Sequence, residues 1–204
     1  MNKDKVQLEL LKKLKFCPDD ISKLSIFHDE LLRFNKKYNL ISRSTETDIW
    51  NRHILDSAQL VKFLDFNNKS LADLGTGAGF PGIVIDIFNK KRDFHVKLYE
   101  KSPVKMKFLN EIIKDLDLRA EVFGNIYNEI LDADYIVSRA FKKLDQIMQV
   151  SREIAKKSHK LIVMKGQNAQ EEINKSLNIK KYPYTLEKSI TNKDSKIIIV
   201  KVQK

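Results

Sequence analysis

Residues 73–82 read Asp-Leu-Gly-Thr-Gly-Ala-Gly-Phe-Pro-Gly, placing four of the chain's six glycines within eight positions, from Gly75 to Gly82. The stretch before them, Leu71 to Leu74, suits a strand, and Ile83, Ile85 and Ile87 resume a helical run after them. A glycine turn between a strand and a helix lets the backbone approach a ligand, and the helix N-terminus offers free N–H groups to an anion. Gly77-Ala-Gly79-Phe-Pro-Gly82 also matches the G-x-G-x-x-G of dinucleotide-binding folds. Asp73 separates the possibilities. A carboxylate about 5 Å from a pyrophosphate is repelled by roughly 3 kcal/mol at an effective dielectric of 20. A cationic ligand reverses that sign. S-adenosylmethionine carries a sulfonium and an ammonium beside one carboxylate, so both Asp73 and the helix N-terminus suit it. Glu100, at the end of the next strand, is placed to accept from ribose hydroxyls and serves NAD equally well. Asp73 and Glu100 are expected to stay ionised toward the cation.

These residues need a frame. Over 21–38, Ile21, Leu24, Phe27, Leu31, Leu32 and Phe34 recur mostly at steps of three and four, predicting an amphipathic helix with Pro18, Asp19 and Asp20 in its first turn. A second helix is expected after Thr45-x-x-Asp48, which resembles a capping box. It should run to about Leu64 with Trp50, Ile54, Val61 and Leu64 inward. From Leu71 onward, strand runs at 71–74, 95–100, 120–124, 135–140 and 160–166 alternate with helical stretches, as in a parallel sheet covered on both faces. Two late β-rich runs, 182–189 and 196–203, are expected to form an antiparallel edge. We divide the chain into a helical extension, 1–66, and a sheet domain, 67–204, in one compact unit.

The 204 residues carry a net charge of +11, and residues 156–204 hold 12 basic against 4 acidic side chains. Such a surface suits a polyanion, because each phosphate neutralised releases counterions. General lysine bias is the plainer reading, since 31 of the 38 basic residues are lysine. The single cysteine, Cys17, excludes an internal disulfide and fits a reducing compartment. No apolar run approaches the roughly 20 residues of a membrane span. The N-terminus is charged and amphipathic, with Asp4 and Glu9 and no arginine before Arg33, unlike a secretory or mitochondrial leader. The expectation is a cytoplasmic protein, monomeric, without membrane or metal.

The fourth strand ends Ser138-Arg139-Ala140-Phe141, not in the Asn/Asp-Pro-Pro-aromatic of many exocyclic-amine methyltransferases. Cys17 lies far upstream of the sheet, so a cysteine adduct at a pyrimidine has no evident nucleophile. Both point to an acceptor whose lone pair is already available.

Four separated segments then resemble the glucose-inhibited-division protein B family, the small-subunit rRNA guanine-N7 methyltransferases. They are FNKKYNLIS (34–42), RHILDS (52–57), DLGTGAGFPGI (73–83) and SRAF (138–141) with KGQ (165–167). The resemblance runs from about residue 20 to the C-terminus. It implies an α/β fold of the Rossmann-like class I S-adenosylmethionine-dependent type, a mostly parallel seven-stranded sheet with an N-terminal helical extension. It also implies methyl transfer to N7 of one guanine in the decoding region of 16S rRNA, as naked RNA or within the small subunit. Cofactor contacts then fall on Asp73, Gly75, Gly77, Phe80, Glu100, Ile126, Tyr127 and Arg139. Positioning roles in catalysis fall on Arg139, His53 and Lys165, with no general base, and RNA contacts on Asn35, Lys36, Asn39, Arg52, Lys165 and Gln167. One departure stands out: after the third strand the chain reads Gly124-Asn125-Ile126-Tyr127, lacking the family's usual Arg and acid. Backbone contacts from Ile126 and Tyr127 to an adenine survive that change. On the residues alone other readings stay open. Arg52 and Asp56 are spaced as an ordinary helix ion pair, and Asn35 and Asn39 as a helix cap or turn. A nicotinamide oxidoreductase and a non-catalytic rRNA-binding or ribosome-assembly protein are the other functional classes.

Overall fold

The structure, a computed structural model, describes residues 1–176 and 179–204. Helices α1 (Lys3–Lys13) and α2 (Pro18–Tyr38) open the chain. α2 starts where its sequence demands. Pro18 takes the first helical position, where no N–H is needed, and the Asp20 carboxylate accepts the Cys17 N–H at 2.9 Å. It ends at Asn39, whose left-handed φ of +50° turns the chain while its N–H reaches the Asn35 carbonyl. Leu24, Phe27, Leu31 and Phe34 form the buried stripe expected of that helix.

The next segment departs from expectation. Instead of one helix there is a single turn, α3 (Arg43–Glu46), then a π-helical turn over Trp50–Leu55, α4 (Asp56–Ala58) and a 3-10 turn over Gln59–Phe63. The capping box does not form, because Thr45 lies inside α3 and its hydroxyl donates to the Ser42 carbonyl at 2.9 Å. Asp48 instead takes the Asn51 amide at 3.1 Å. Trp50, Ile54 and Val61 are buried as their spacing requires, whereas Leu64 is only half-buried because the backbone becomes extended there.

The sheet has seven strands: β1 (Ser70–Leu74), β2 (His95–Tyr99), β3 (Glu121–Phe123), β4 (Tyr135–Arg139), β5 (His159–Lys165), β6 (Tyr184–Lys188) and β7 (Lys196–Val202). Between them lie α5 (Gly82–Phe88), α6 (Pro103–Asp115), α7 (Leu144–Ile154) and α8 (Ala169–Lys175). Strand order is β3-β2-β1-β4-β5-β7-β6, the first five parallel and β7 antiparallel to both neighbours. Successive residues of the strands feed opposite layers, as the pleat requires. Leu71, Val96, Leu98 and Val137 face a layer that includes residues of α1, α2, α5 and α6, while Ala72, Tyr99, Ile136 and Val163 face α7. The order reverses at β1, which pairs with β2 on one side and β4 on the other, so ligands are expected at that crevice. Lys165 at the end of β5 pairs with Lys196 at the start of β7, which returns the β6–β7 turn to the same edge.

Candidate active site

Along this edge two cavities meet at one residue. The first, about 500 Å³, is lined by Gly75, Glu100, Ile126, Tyr127, Phe141 and Lys142, among others. The second, about 650 Å³, is lined by Arg52, Asp56, Arg139, Lys165, Gln167 and Thr191, among others. Ala140 borders both, at a left-handed φ of +52°.

The glycine turn shapes the first cavity. Gly75 and Gly77 have φ of +70° and +63°, which favours glycine there. Both Gly75 and Thr76 donate their N–H to the Tyr99 carbonyl, pinning the turn to the end of β2. A Cβ on Gly77 would meet nothing nearer than the Gly75 carbonyl at 3.9 Å, so that backbone face is open. Glu100 accepts from Gly77 N–H at 3.0 Å and Ser102 N–H at 2.8 Å, one on each oxygen. A carboxylate has about four acceptor positions, so two remain for a vicinal diol. Opposite, Tyr127 is half exposed, with Lys142 Nζ 5.4 Å from its ring centre. An open backbone face, a diol acceptor and an aromatic ring fit an adenosine moiety. Asn125 replaces the missing acid with a cap, its Oδ1 accepting the Tyr127 N–H at 3.2 Å. That backbone donor is therefore already engaged.

Asp73 and Phe80 lie behind the turn. Asp73 has no exposed surface, and its Oδ2 accepts the Gly82 N–H at 2.8 Å, holding the start of α5. Direct contact of its side chain with a bound cofactor is thus corrected to support of the turn from below. Burial pushes its pKa up to about 7, against the opposing pull of Thr76, the Gly82 N–H and Arg139. Without a cation beside it, that desolvation works against the carboxylate ionised throughout that the sequence suggests. Phe80 turns its ring inward against Phe27 and His53, at centroid distances of 5.1 and 5.0 Å, so its side chain belongs to the core.

The shift of Asp73 has a sign that can be measured. Between its ordinary value of 3.8 and about 7 the folded chain holds a proton that the unfolded chain has released. Stability from this group therefore falls as pH rises through that window, by about 1.4 kcal/mol per unit, and levels off above it. Asp73→Asn does not ionise, so its melting temperature should rise relative to wild type from pH 5 to about pH 7, and the difference should hold constant above about pH 8. A gap independent of pH would show that Asp73 does not titrate there.

The second cavity is organised around Arg139, at the end of β4. Its Nη1 donates to His53 Nδ1 at 2.9 Å, its Nη2 donates to the Arg52 carbonyl at 2.8 Å, and its Nε lies 3.4 Å from Asp56 Oδ2. RHILDS and SRAF, 86 positions apart at His53 and Arg139, therefore meet through one guanidinium. A guanidinium only donates, so His53 Nδ1 accepts and its proton sits on Nε2, which is buried without a partner. Burial and the charges of Arg139 and Arg52 push the His53 pKa down to about 3. The imidazole is neutral at physiological pH. Burial also lowers the Arg139 pKa, offset by Asp56 and Asp73, and a guanidinium still stays charged.

The remaining expected residues divide. Arg52 and Gln167 are exposed on the rim of the second cavity. The Arg52–Asp56 helix pair does not form its expected bridge, since Asp56 faces Arg139. Lys165 lines the cavity, but its ammonium donates to the Lys142 carbonyl at 2.5 Å and pairs with Glu172 at 2.9 Å, fixing the loop that follows Ala140. Lys36 is exposed and Asn39 is an exposed turn residue. Asn35 is buried, its amide on Glu46 at 2.6 Å and its carbonyl oxygen accepting from Ile41 N–H at 2.8 Å. With both ends used inside the fold, Asn35 is corrected from an RNA contact to a brace at the end of α2. Asp56, Gln59, Phe141 and Thr191 were absent from the expected site. Asp56 carried a signal, four residues after Arg52, but it named the wrong partner.

The sheet order, the switch-point cleft and the glycine turn are those of the class I S-adenosylmethionine-dependent methyltransferase fold. Solved structures of that class share the fold. One is an S-adenosylmethionine-dependent methyltransferase from Aquifex aeolicus (TM-score 0.59, 14% identity, covering 82% of this chain and 97% of that one). TYW2 of M. jannaschii, in complex with AdoMet, has the same fold (TM-score 0.56, 16% identity, 75% and 76%). The model of the GidB family, rRNA small subunit methyltransferase G, matches residues 20–197, and the chain belongs to that family. Among its relatives, ribosomal RNA small subunit methyltransferase G of Pelagibacter ubique is 36% identical over 198 residues, covering 94% of this chain and 93% of that protein. The enzyme of the same name from Mesoplasma florum is 38% identical over 192 residues, covering 89% and 78%. The nicotinamide reading is not favoured by these findings. Among the described residues no helix is long and apolar enough to cross a membrane, and no cluster of metal-ligating side chains occurs.

Proposed function

We propose that this chain transfers a methyl group from S-adenosylmethionine to N7 of a guanine in the decoding region of 16S rRNA, as a cytoplasmic monomer. The observation that carries the reading is the Arg139 guanidinium, clamped by His53, Asp56 and the Arg52 carbonyl in the polar cavity, one residue before Ala140, where that cavity meets the cleft of the glycine turn. S-adenosylmethionine supplies an electrophilic methyl group on a positively charged sulfur. Gly75, Gly77, Glu100 and the Ile126–Tyr127 turn hold it in the first cavity. The second cavity receives the base, with Arg52, Gln167 and the exposed Lys36 toward the RNA backbone.

Guanine N7 bears an in-plane lone pair and no proton, so alignment rather than proton removal is the task. The site matches that demand. His53 has its accepting nitrogen occupied by Arg139, and a pKa near 3 makes it a weak base at neutral pH. Two of the five guanidinium N–H groups remain free of the His53, Arg52 and Asp56 contacts, and they suit guanine O6 beside the reacting nitrogen. The test is transfer of labelled methyl groups to 16S rRNA and to small subunits, with the product nucleotide mapped by mass spectrometry and by cleavage at N7-methylguanine. Label on an exocyclic amine or a ribose would overturn the N7 assignment. Binding without transfer would favour the non-catalytic alternative.

A further inference from the structure

Asp56 does more than face Arg139. Its other oxygen, Oδ1, accepts from Thr191 Oγ1 at 2.7 Å, from Gln59 Nε2 at 2.9 Å and from Ser189 Oγ at 3.3 Å. Gln59 is itself fixed by the same turn, since its Oε1 accepts the Ile190 N–H at 3.0 Å. Ser189 and Thr191 belong to residues 189–195, which join β6 to β7 and bring Asn192 and Ser195 to the wall of the polar cavity. The side chains of Asp56 and Arg139 are 17% and 20% exposed, so their charges face each other with little water between them.

We propose that Asp56 is the positioning residue for Arg139, and that the β6–β7 turn is an acceptor-side wall latched to the guanidinium through Thr191 and Asp56. This rests on the reading of Arg139 as a group that touches the acceptor base. The carboxylate has one oxygen for each side, so the orientation of Arg139 depends on a turn 135 positions from Asp56 at Thr191. The turn also carries Lys193, and Lys196 follows it, so RNA that engages these cations presses on the segment that aims Arg139.

The test measures methyl transfer to small subunits under single-turnover conditions, with cofactor affinity and melting temperature measured for each variant. Asp56→Asn keeps an oxygen for the turn but removes the charge facing Arg139. Its rate should fall about tenfold or more while cofactor affinity stays within about twofold. Thr191→Val should lower the rate about threefold or more, and Thr191→Ser, which restores the hydroxyl, should recover it. Combining Asp56→Asn with Arg139→Lys should cost little beyond Arg139→Lys alone, because both act on one group. A folded Asp56→Asn enzyme at wild-type rate, beside an inactive Arg139→Lys, overturns the inference and leaves the role of Arg139 standing. Wild-type rates in both overturn the reading of the site itself. If Asp56→Asn does not fold, the Thr191 pair decides: equal rates in Thr191→Val and Thr191→Ser overturn the latch.

Discussion

Arg139→Lys is expected to lose roughly a hundredfold in the rate of methyl transfer, the scale of a displacement of about 1 Å at a reacting centre. The guanidinium is planar and holds three partners at fixed angles: His53 Nδ1, the Arg52 carbonyl and Asp56. A lysine ammonium keeps the charge on a flexible stem, and no single position of one nitrogen reaches all three. The Asp56 attraction draws it to one side, leaving His53 Nδ1 buried with no donor. Melting temperature should fall modestly, because a charge still faces Asp56. The decisive measurement is the single-turnover rate at saturating cofactor and RNA. A rate within about threefold of wild type would remove Arg139 from the reacting centre.

Gly75→Val is expected to abolish detectable cofactor binding. A Cβ at this position would lie 2.4 Å from Cδ2 of Phe141, well inside contact distance, and the backbone stands at a φ of +70°. A β-branched residue in that region costs about 1–2 kcal/mol of strain before any clash is counted. The sequence alone suggests a local loss with the fold intact. The ring of Phe141 adds a second effect: it must swing away, dismantling one wall of the cleft and lowering the melting temperature. Two further variants separate the effects. Adding Phe141→Ala to Gly75→Val relieves the clash but not the backbone strain, and should recover part of the lost stability without restoring binding. Gly77→Ala meets open space and should stay folded at the cost of about 1 kcal/mol of strain. Calorimetric titration with S-adenosylmethionine reads all three, and wild-type affinity in folded Gly75→Val would remove this turn from the cofactor site.

The sheet was legible because strand pleat and helix pitch write themselves into short windows. All seven strands lie within or beside the strand-like and β-rich runs of the sequence, and the antiparallel pair closes one edge of the sheet. The helical extension was half legible. α2 carries its own start signal in Pro18 and Asp20, whereas the π-helical turn at Trp50–Leu55 has no local signature that competes with an α-helical reading. The site was legible as residue types and not as directions. Asp73, Phe80 and Asn35 stand in informative motifs, yet each turns its side chain into the fold, and burial is a property of distant neighbours. Thr191 and Gln59 illustrate the converse. Nothing near either residue marks it: Gln59 meets Asp56 three positions along the same helical turn, and only the hairpin's return to the C-terminal edge of β5 brings Thr191 to both.

Ala140 has a wider consequence. On a continuing strand Arg139 and Phe141 would point to the same face, since side chains repeat every second residue. The left-handed residue between them breaks that parity, so one reaches the acceptor cavity and the other covers the glycine turn. Under the proposed function, the partition between electrophile and nucleophile is thus a matter of backbone handedness at a single α-carbon. Glycine would adopt the conformation without strain, but it would also admit the mirror-related conformations in which the two side chains lose their separate assignments. An alanine methyl is small enough to be tolerated there and large enough to narrow the alternatives. The protein thereby keeps about 1–2 kcal/mol of local strain as the cost of a fixed boundary.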